Sequence, residues 1–306
     1  MKHTDVAVLA PETLHYFENE PTADIKEKWL SVLGDLNVCS QKGLAERFDA
    51  SIGSGTVLMP FGGKHQLTPE ICMAAKLPTQ GKTDAATLMS FGYQPRLSKE
   101  SPFDGAIYAV VDSLAKIVAA GGDRREVYLT FQEYFARPGS DPARWGQPFA
   151  ALLGAYRAQT ALGIAAIGGK DSMSGSFNDL DVPPTLVSFA VCPTLAGTVV
   201  SGALKNTGSR LWLAEPKRTA DGLPDSEDLK EKYDSIYHLI QSGSVRASYT
   251  IGEGGLAAAV TKMAAGNGIG VSLCESQTER LFTANPGAIL LETEPDLTLE
   301  FAECIG

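Results

Sequence analysis

The sequence predicts an α+β fold in two domains. Strand-like and helix-like stretches mix along the chain without a strict strand–helix–strand alternation, which speaks against a purely parallel α/β sheet. The length of 306 residues suits about two domains. Hydrophobic residues make up 44% and charged residues 20%, an ordinary globular balance that supplies two cores. The expected division is a connector at 1–48, an N-terminal domain at 49–176 and a C-terminal domain at 177–306.

Taken in order, residues 24–34 place Ile25, Trp29 and Val32 at helical spacing, with Asp24 as N-cap and Gly34 as the stop. A second short helix is expected over 41–48. The stretch 50–66 is rich in glycine around one apolar run at 57–59. Residues 70–77 and 84–92 read as strands. The clearest helix spans 103–120, where Ile107, Val110, Val111, Leu114, Ile117 and Val118 form one apolar face, and Gly121 and Gly122 end it. A strand at 127–131, a helix at 146–162, a short strand at 164–167 and a loop at 168–176 complete the first unit. In the second unit, strands are expected at 185–192 and 209–214, then a charged loop at 217–227 and an amphipathic helix at 229–242. The segment 248–251 leads through Gly252-Glu253-Gly254-Gly255 into a helix at 256–265. Strands at 268–273 and 287–292 and a helix at 297–305 close the chain. A stop at Gly306 inside that last helix reads as a piece cut from a longer protein, truncated within its C-terminal domain.

Composition excludes several classes. A net charge of −10 argues against nucleic-acid binding, which needs a basic footprint, but leaves room for one local basic pocket that holds a nucleotide phosphate. There is no run of 18 apolar residues to span a membrane, and residues 1–18 lack the apolar core of a signal peptide, so a cytoplasmic protein is expected. The five cysteines, Cys39, Cys72, Cys192, Cys274 and Cys304, are scattered, without paired spacing for zinc or disulfides. Cys72, Cys192 and Cys274 sit in apolar runs and are expected in the core.

The sharpest chemical signal is Gly168-Gly169-Lys170-Asp171-Ser172-Met173-Ser174-Gly175, directly after a short apolar strand. Paired glycines admit close backbone approach to a ligand, Lys170 supplies positive charge, Ser172 and Ser174 are donors to phosphate oxygens, and Asp171 suits Mg²⁺. The stretch is not a P-loop: Gly163 and Gly168 have the spacing, but Gly169 stands in the lysine position. A tight turn with a local Lys170–Asp171 pair explains the same residues equally well. Glu253, Gly254 and Gly255 open a helix whose free N–H groups suit an anion, although Glu253 repels one; a helix start with a favourable first-turn acid is the simpler reading. Phe61-Gly62-Gly63-Lys64-His65 is a third site of this kind, and a plain turn explains it as well. Ser172 and Ser174 lack His–Asp partners for a hydrolytic triad.

The combination carries more than any one motif. IGGKDSMSG at 167–175, PPTLVSFAV at 183–191 and GEGGLAAAVTKMA at 252–264 follow FDGAIYAVVDSLAKIVAAGGD at 103–123 and GTVLMPFGGKHQLTP at 55–69. Over residues 24–306 the chain resembles the second synthetase half of the large, single-chain form of formylglycinamidine ribonucleotide synthase (phosphoribosylformylglycinamidine synthase). That family shares its fold with aminoimidazole ribonucleotide synthetase, selenophosphate synthetase and thiamine monophosphate kinase. The resemblance implies an N-terminal α+β domain whose strands close a barrel with a partner's, and a C-terminal α/β domain. It implies a part in an ATP- and Mg-dependent C–N ligase of purine biosynthesis. In that reaction formylglycinamide ribonucleotide, glutamine and ATP give the amidine, with ammonia from a glutaminase domain displacing an activating phosphate. The implied partners are the first synthetase half and the glutaminase domain. Neither is present in these residues, so the chain alone is expected to be inactive.

The departures are specific. In the enterobacterial type, the resemblance puts metal ligands of an auxiliary nucleotide site at positions matching Lys76, Asp112, Lys116 and Thr250, and only Asp112 keeps a carboxylate. Mg²⁺ requires hard oxygen ligands, and an ammonium offers no lone pair. The expectation is a lost metal site, with Lys76 and Lys116 replacing the ion's charge and Lys116 neutralising Asp112 four residues earlier on the same helix face. Nucleotide binding by this chain alone is then uncertain. The competing readings are a freestanding kinase or synthetase of the same superfamily and a noncatalytic scaffold half. Exposed barrel-forming edges also predict a homodimer of the isolated chain.

Overall fold

The structure is a computed structural model that describes residues 4–18, 22, 24–48, 51 and 53–306. The expected connector at 1–48 therefore lies partly outside the described residues. The helices are α1 (Ile25–Gly34), α2 (Lys42–Ala45), α3 (Pro95–Glu100), α4 (Pro102–Ala119), α5 (Pro142–Leu162), α6 (Ser226–Gln241) and α7 (Gly255–Ala265). The strands are β1 (Phe61–Gly62), β2 (Thr68–Pro69), β3 (Met73–Lys76), β4 (Ala85–Gly92), β5 (Tyr128–Tyr134), β6 (Ala165–Lys170), β7 (Ser176–Phe177), β8 (Leu180–Asp181), β9 (Thr185–Leu195), β10 (Arg210–Ala214), β11 (Val245–Thr250), β12 (Ile289–Thr293) and β13 (Glu303–Cys304).

Two main sheets carry the fold. The first runs β3-β4-β9-β5-β6, antiparallel except for the parallel pair β5–β6; the second runs β11-β12-β10-β13, antiparallel throughout. In the first sheet, Leu88, Ser90, Ala190 and Cys192 alternate inward and are buried, as the two-residue period of a strand requires. The opposite face leaves Met73, Met89, Phe91, Tyr128 and Phe189 exposed.

Helix α4 lies between the layers and is buried on nearly its whole circumference, which marks a core helix rather than a surface one. Its start is set by Ser101, whose hydroxyl accepts from Asp104 N at 3.2 Å, and by Pro102 at the first turn. Asp141 caps α5 in the same way, and Asp225 caps α6. One core cluster joins α4 and the inner face of the first sheet to α6 and to Trp212, Ile289 and Leu291 of the second. A second cluster packs α7 on the other face of that sheet, through Leu256, Val260 and Met263.

Several expectations change. Residues 268–273 form no strand: the Gly268 and Ile269 amides both donate to Ala264 O and close the end of α7, while Ile269 and Val271 still pack on the core. The expected helix at 297–305 is a turn followed by β13 on the edge of β10. Its apolar residues Leu297, Leu299 and Phe301 recur every second position, which is not a helical spacing. Strand β6 continues through Gly168, Gly169 and Lys170, where the sequence predicts a loop, because glycine removes no hydrogen bond from the ladder. Cys274 is exposed, since its segment runs along the surface beside β13. The expected boundary at 176/177 falls before β9, yet β9 pairs with β4 and β5 at the centre of the first sheet. The chain passes from one sheet to the other between Leu195 and Arg210.

Candidate functional site

The segment 168–174, the last residues of β6 and the turn after them, stands at the carboxyl ends of the parallel pair β5 and β6, an end where α/β sheets receive ligands. Its shape is fixed by backbone bonds to the end of β5: Phe135 N donates to Ser172 O and Gly175 N donates to Phe135 O, both at 2.9 Å. Gly169 leans on β5 so closely that a Cβ there would meet Phe131 O at 2.8 Å. Ser172 and Ser174 share a hydroxyl–hydroxyl bond of 3.1 Å. Lys170 and Asp171 are exposed, and among the described residues Lys170 makes no ion pair, so the local Lys170–Asp171 pair is not formed.

The Gly252–Gly255 stretch is placed differently. Glu253 is half-enclosed in a cleft of about 400 Å³ between α1, α3 and α7, together with Tyr16, Asp35, Val38 and Arg96. Arg96 bridges Asp35 at 2.6 Å and Glu253 at 3.3 Å. Gly254, at φ 82°, has Val32 and Val38 side chains 2.9 and 3.0 Å from where a Cβ would sit. Ala257 N already donates to Leu281 O at 2.8 Å. The chain's own residues thus crowd the start of α7, and a half-buried acid stands where an anion would need positive charge. Burial pushes the Glu253 carboxyl up, with Arg96 pulling it back.

The four metal-ligand positions do not converge on an oxygen cage. The Lys116 ammonium donates to Asp112 Oδ2 at 2.8 Å and to Phe91 O at 2.7 Å, and lies 4.8 Å from the Phe91 ring centre. Burial raises the Asp112 carboxyl, and Lys116 opposes that rise. Lys76 is elsewhere. It pairs with Asp84 at 3.4 Å and sits opposite Ala86 on β4, five residues from Phe91, roughly 17 Å along the strand. Lys76 and Lys116 therefore do not share one replaced ion. Thr250 is buried opposite Ile289. Among the described residues no group of three or more His, Cys, Asp or Glu could hold a metal. The donor set therefore does not fit a divalent ion at these four positions. Tyr16 ties the region together: burial and the Glu253 and Asp112 carboxylates all push its hydroxyl well up.

Two acids, each with a carboxylate oxygen sealed from solvent, escaped the sequence reading. The Glu133 carboxyl has neither hydrogen bond nor ion pair among the described residues, and burial, then Asp171, push it up to about 7. The signal was present, since Leu129, Phe131 and Glu133 alternate on β5 and set the acid in an inward position. Glu70, at the seam between the sheets, accepts from Gly202 N at 2.9 Å while its other oxygen is sealed without a partner. Burial lifts it to about 7, against the pull of the Gly202 amide and Lys205. Nothing in its sequence neighbourhood marks that position.

No protein-family model matches the chain. The curated phosphoribosylformylglycinamidine synthase subunit PurL of Nitrobacter winogradskyi is 27% identical over 270 residues, covering 82% of this chain and 34% of the relative. The chain is similar in sequence to PurL over most of its length. It spans about a third of the length of the curated PurL subunits it matches. PurL from Thermotoga maritima, solved with ATP, superposes on 99% of this chain with a TM-score of 0.63 at 16% identity. The same subunit in the PurLQS assembly gives 0.64 at 17%, and each comparison covers 44% of the Thermotoga chain. Thiamine monophosphate kinase from Aquifex aeolicus gives 0.50 at 14% identity, over 76% of this chain and 89% of the kinase. The mixed α+β architecture is thus that of PurL and of the kinase. Among the described residues no helix is long and apolar enough to cross a membrane.

Proposed function

We propose that this chain is a synthetase-type unit working in the ATP-dependent conversion of formylglycinamide ribonucleotide to its amidine in purine biosynthesis. Its 168–174 loop holds a phosphate-bearing ligand, and a second synthetase unit and a glutaminase supply what this unit lacks. One observation carries the reading: Lys170, without an ion pair among the described residues, stands between two glycines and two serine hydroxyls at the carboxyl ends of β5 and β6. The similarity to PurL supports this reaction class. In this assignment Gly168 and Gly169 admit the ligand to the backbone, Lys170 neutralises its charge and Ser172 and Ser174 donate to its oxygens. ATP supplies the phosphoryl group that activates the amide oxygen. Glu253, Gly254 and Gly255 have a structural role, because Val32, Val38 and Arg96 fill the approach to them.

In the enzyme assembled with its second synthetase unit, Lys170→Ala is expected to lower kcat/KM by ten- to a hundred-fold, the scale of a lost charge-assisted hydrogen bond of about 1.5–3 kcal/mol. Normal turnover would leave the loop without a role. Calorimetric titration of this chain alone with ADP or ATP should show no Mg²⁺-dependent binding at the Asp112 pocket, and tight Mg²⁺-dependent binding abolished by Asp112→Asn would refute that. The scaffold reading keeps support at this one pocket, where Lys116 takes the place of an ion.

The second unit docks on the exposed face of the first sheet, around Met73, Met89, Phe91 and Phe189. A contiguous apolar face of this kind is rare on a monomer. The chain alone is expected to sediment as a dimer at micromolar concentration and Met89→Glu as a monomer; a monomeric wild type would count against this docking face.

A further inference from the structure

Cys274 and Cys304 lie 30 positions apart in the chain, yet the fold sets them side by side on its surface. Cys274 N donates to Ile305 O at 2.8 Å, which joins the segment before the 275–280 turn to the free edge of β13. The Cys274 thiol stands 4.0 Å from Cys304 O, and the Cys304 thiol 3.8 Å from Gly306 O. Hydrogen-bonded strands run roughly 4.8 Å apart, and a one-residue offset adds about 3.4 Å along the chain, so the two α-carbons are roughly 6 Å apart. A disulfide spans about 4.4–6.8 Å between α-carbons. Side chains already hold this seam in place. Gln277 Nε2 donates to Glu303 Oε1 at 2.8 Å, and Arg280 pairs with Glu303 and, at 2.9 Å, with Glu215. Both thiols are exposed, so an oxidant can reach them. Cys72 and Cys192 do not compete. Both are buried, and burial pushes their thiols up to about 12 and about 11.

We propose that Cys274 and Cys304 form a reversible disulfide, a covalent clamp between β13 and the segment ahead of the 275–280 turn, made by exchange with a low-molecular-weight disulfide. One cysteine thiolate attacks a sulfur of that disulfide, forms a mixed disulfide and releases one small thiolate. The second cysteine thiolate then attacks the protein sulfur of the mixed disulfide. The protein S–S bond forms, the mixed bond breaks and the second small thiolate leaves. The two protein thiols lose two electrons and two protons, and the small disulfide becomes two thiols. The loop so closed contains the 275–280 turn and β12. It also fixes Cys274 as part of the wall of a cavity of about 440 Å³ beneath Trp29, lined by Val260, Leu273 and Leu281. Oxidation thus ties the edge strand to that wall.

The test uses oxidised glutathione as the probe on the whole chain in its native state. Peptide mapping without reduction is expected to show a 274–304 cross-link, with Cys39, Cys72 and Cys192 still open to alkylation after unfolding. The melting temperature should rise by several degrees on oxidation, because the clamp restrains the unfolded chain. Dithiothreitol should reverse both changes. Cys274→Ser and Cys304→Ser should each remove the cross-link and the rise, while the reduced variants melt like the reduced wild type. Glutathione left attached to either cysteine of the wild type, or cross-links between two molecules in place of the internal one, overturns the pairing. A bridge that stays closed in a large excess of reduced glutathione overturns its reversibility.

Discussion

Replacing Lys116 by methionine is expected to destabilise the protein by about 3–5 kcal/mol, because it leaves the Asp112 carboxylate buried without a partner. The side chain is nearly isosteric in its apolar part, so packing loss contributes little and the charge effect dominates. Asp112 is 3% exposed and is already raised by burial even with the ammonium 2.8 Å away. The double variant Asp112→Asn with Lys116→Met removes both charges and should recover most of the loss, since a buried pair seldom outperforms neutral residues of similar shape. Denaturant unfolding of the two variants measures the coupling directly. A loss below about 1 kcal/mol in Lys116→Met would mean that solvent reaches the pair and that Lys116 is not holding the place of an ion.

Glu70→Gln should act in the opposite direction and stabilise the fold. Lifting a carboxyl from the ordinary 4.5 to about 7 costs its ionised form about 3 kcal/mol in the folded state. In the native protein Glu70 retains its proton where the unfolded chain has lost it. Stability from this group therefore falls as pH rises from about 4.5 to about 7, and is level above that. The neutral amide keeps an acceptor for the Gly202 amide and carries no charge to desolvate. The variant is thus expected to exceed wild type by about 2–3 kcal/mol at pH 8 and to converge with it near pH 4.5. Parallel stability curves with no pH-dependent gap would show that Glu70 is ionised and solvated at the seam.

The elements that could be read from the sequence are those with a long, regular pattern. Helix α4 shows its apolar face over five turns, and β4 and β9 show clear apolar runs, so their existence and type follow from the residues. The failures have separate causes. Residues 297–301 are apolar at alternate positions, a strand-like period too short to be told from a helix turn in the sequence. At 168–170 paired glycines suggested a turn, although a ladder makes no demand on side chains. The pairing of Asp112 with Lys116 was legible because four residues separate them on one helix. The separation of Lys76 from Lys116 was not, since it depends on how β3 registers against β4. Glu133 and Glu70 are defined by what surrounds them in space, and a single sequence gives no list of those neighbours.

The two borders of the first sheet are unlike each other. Along β3 the border is closed, because the Val57 and Leu58 amides both reach Ala74 O and Thr56 bridges Ala75. Along β6 it is open among the described residues, but Ile167 is squeezed out of register between Ala166 and Gly168, and the charged Lys170 follows. A stray strand from another molecule would meet a broken comb of hydrogen-bonding groups there and could not zip along it. The same kink that sets Asp171 beside Glu133 thus also guards the protein against fibrous self-association, so straightening it by deleting Ile167 would disturb both solubility and the loop in a single change.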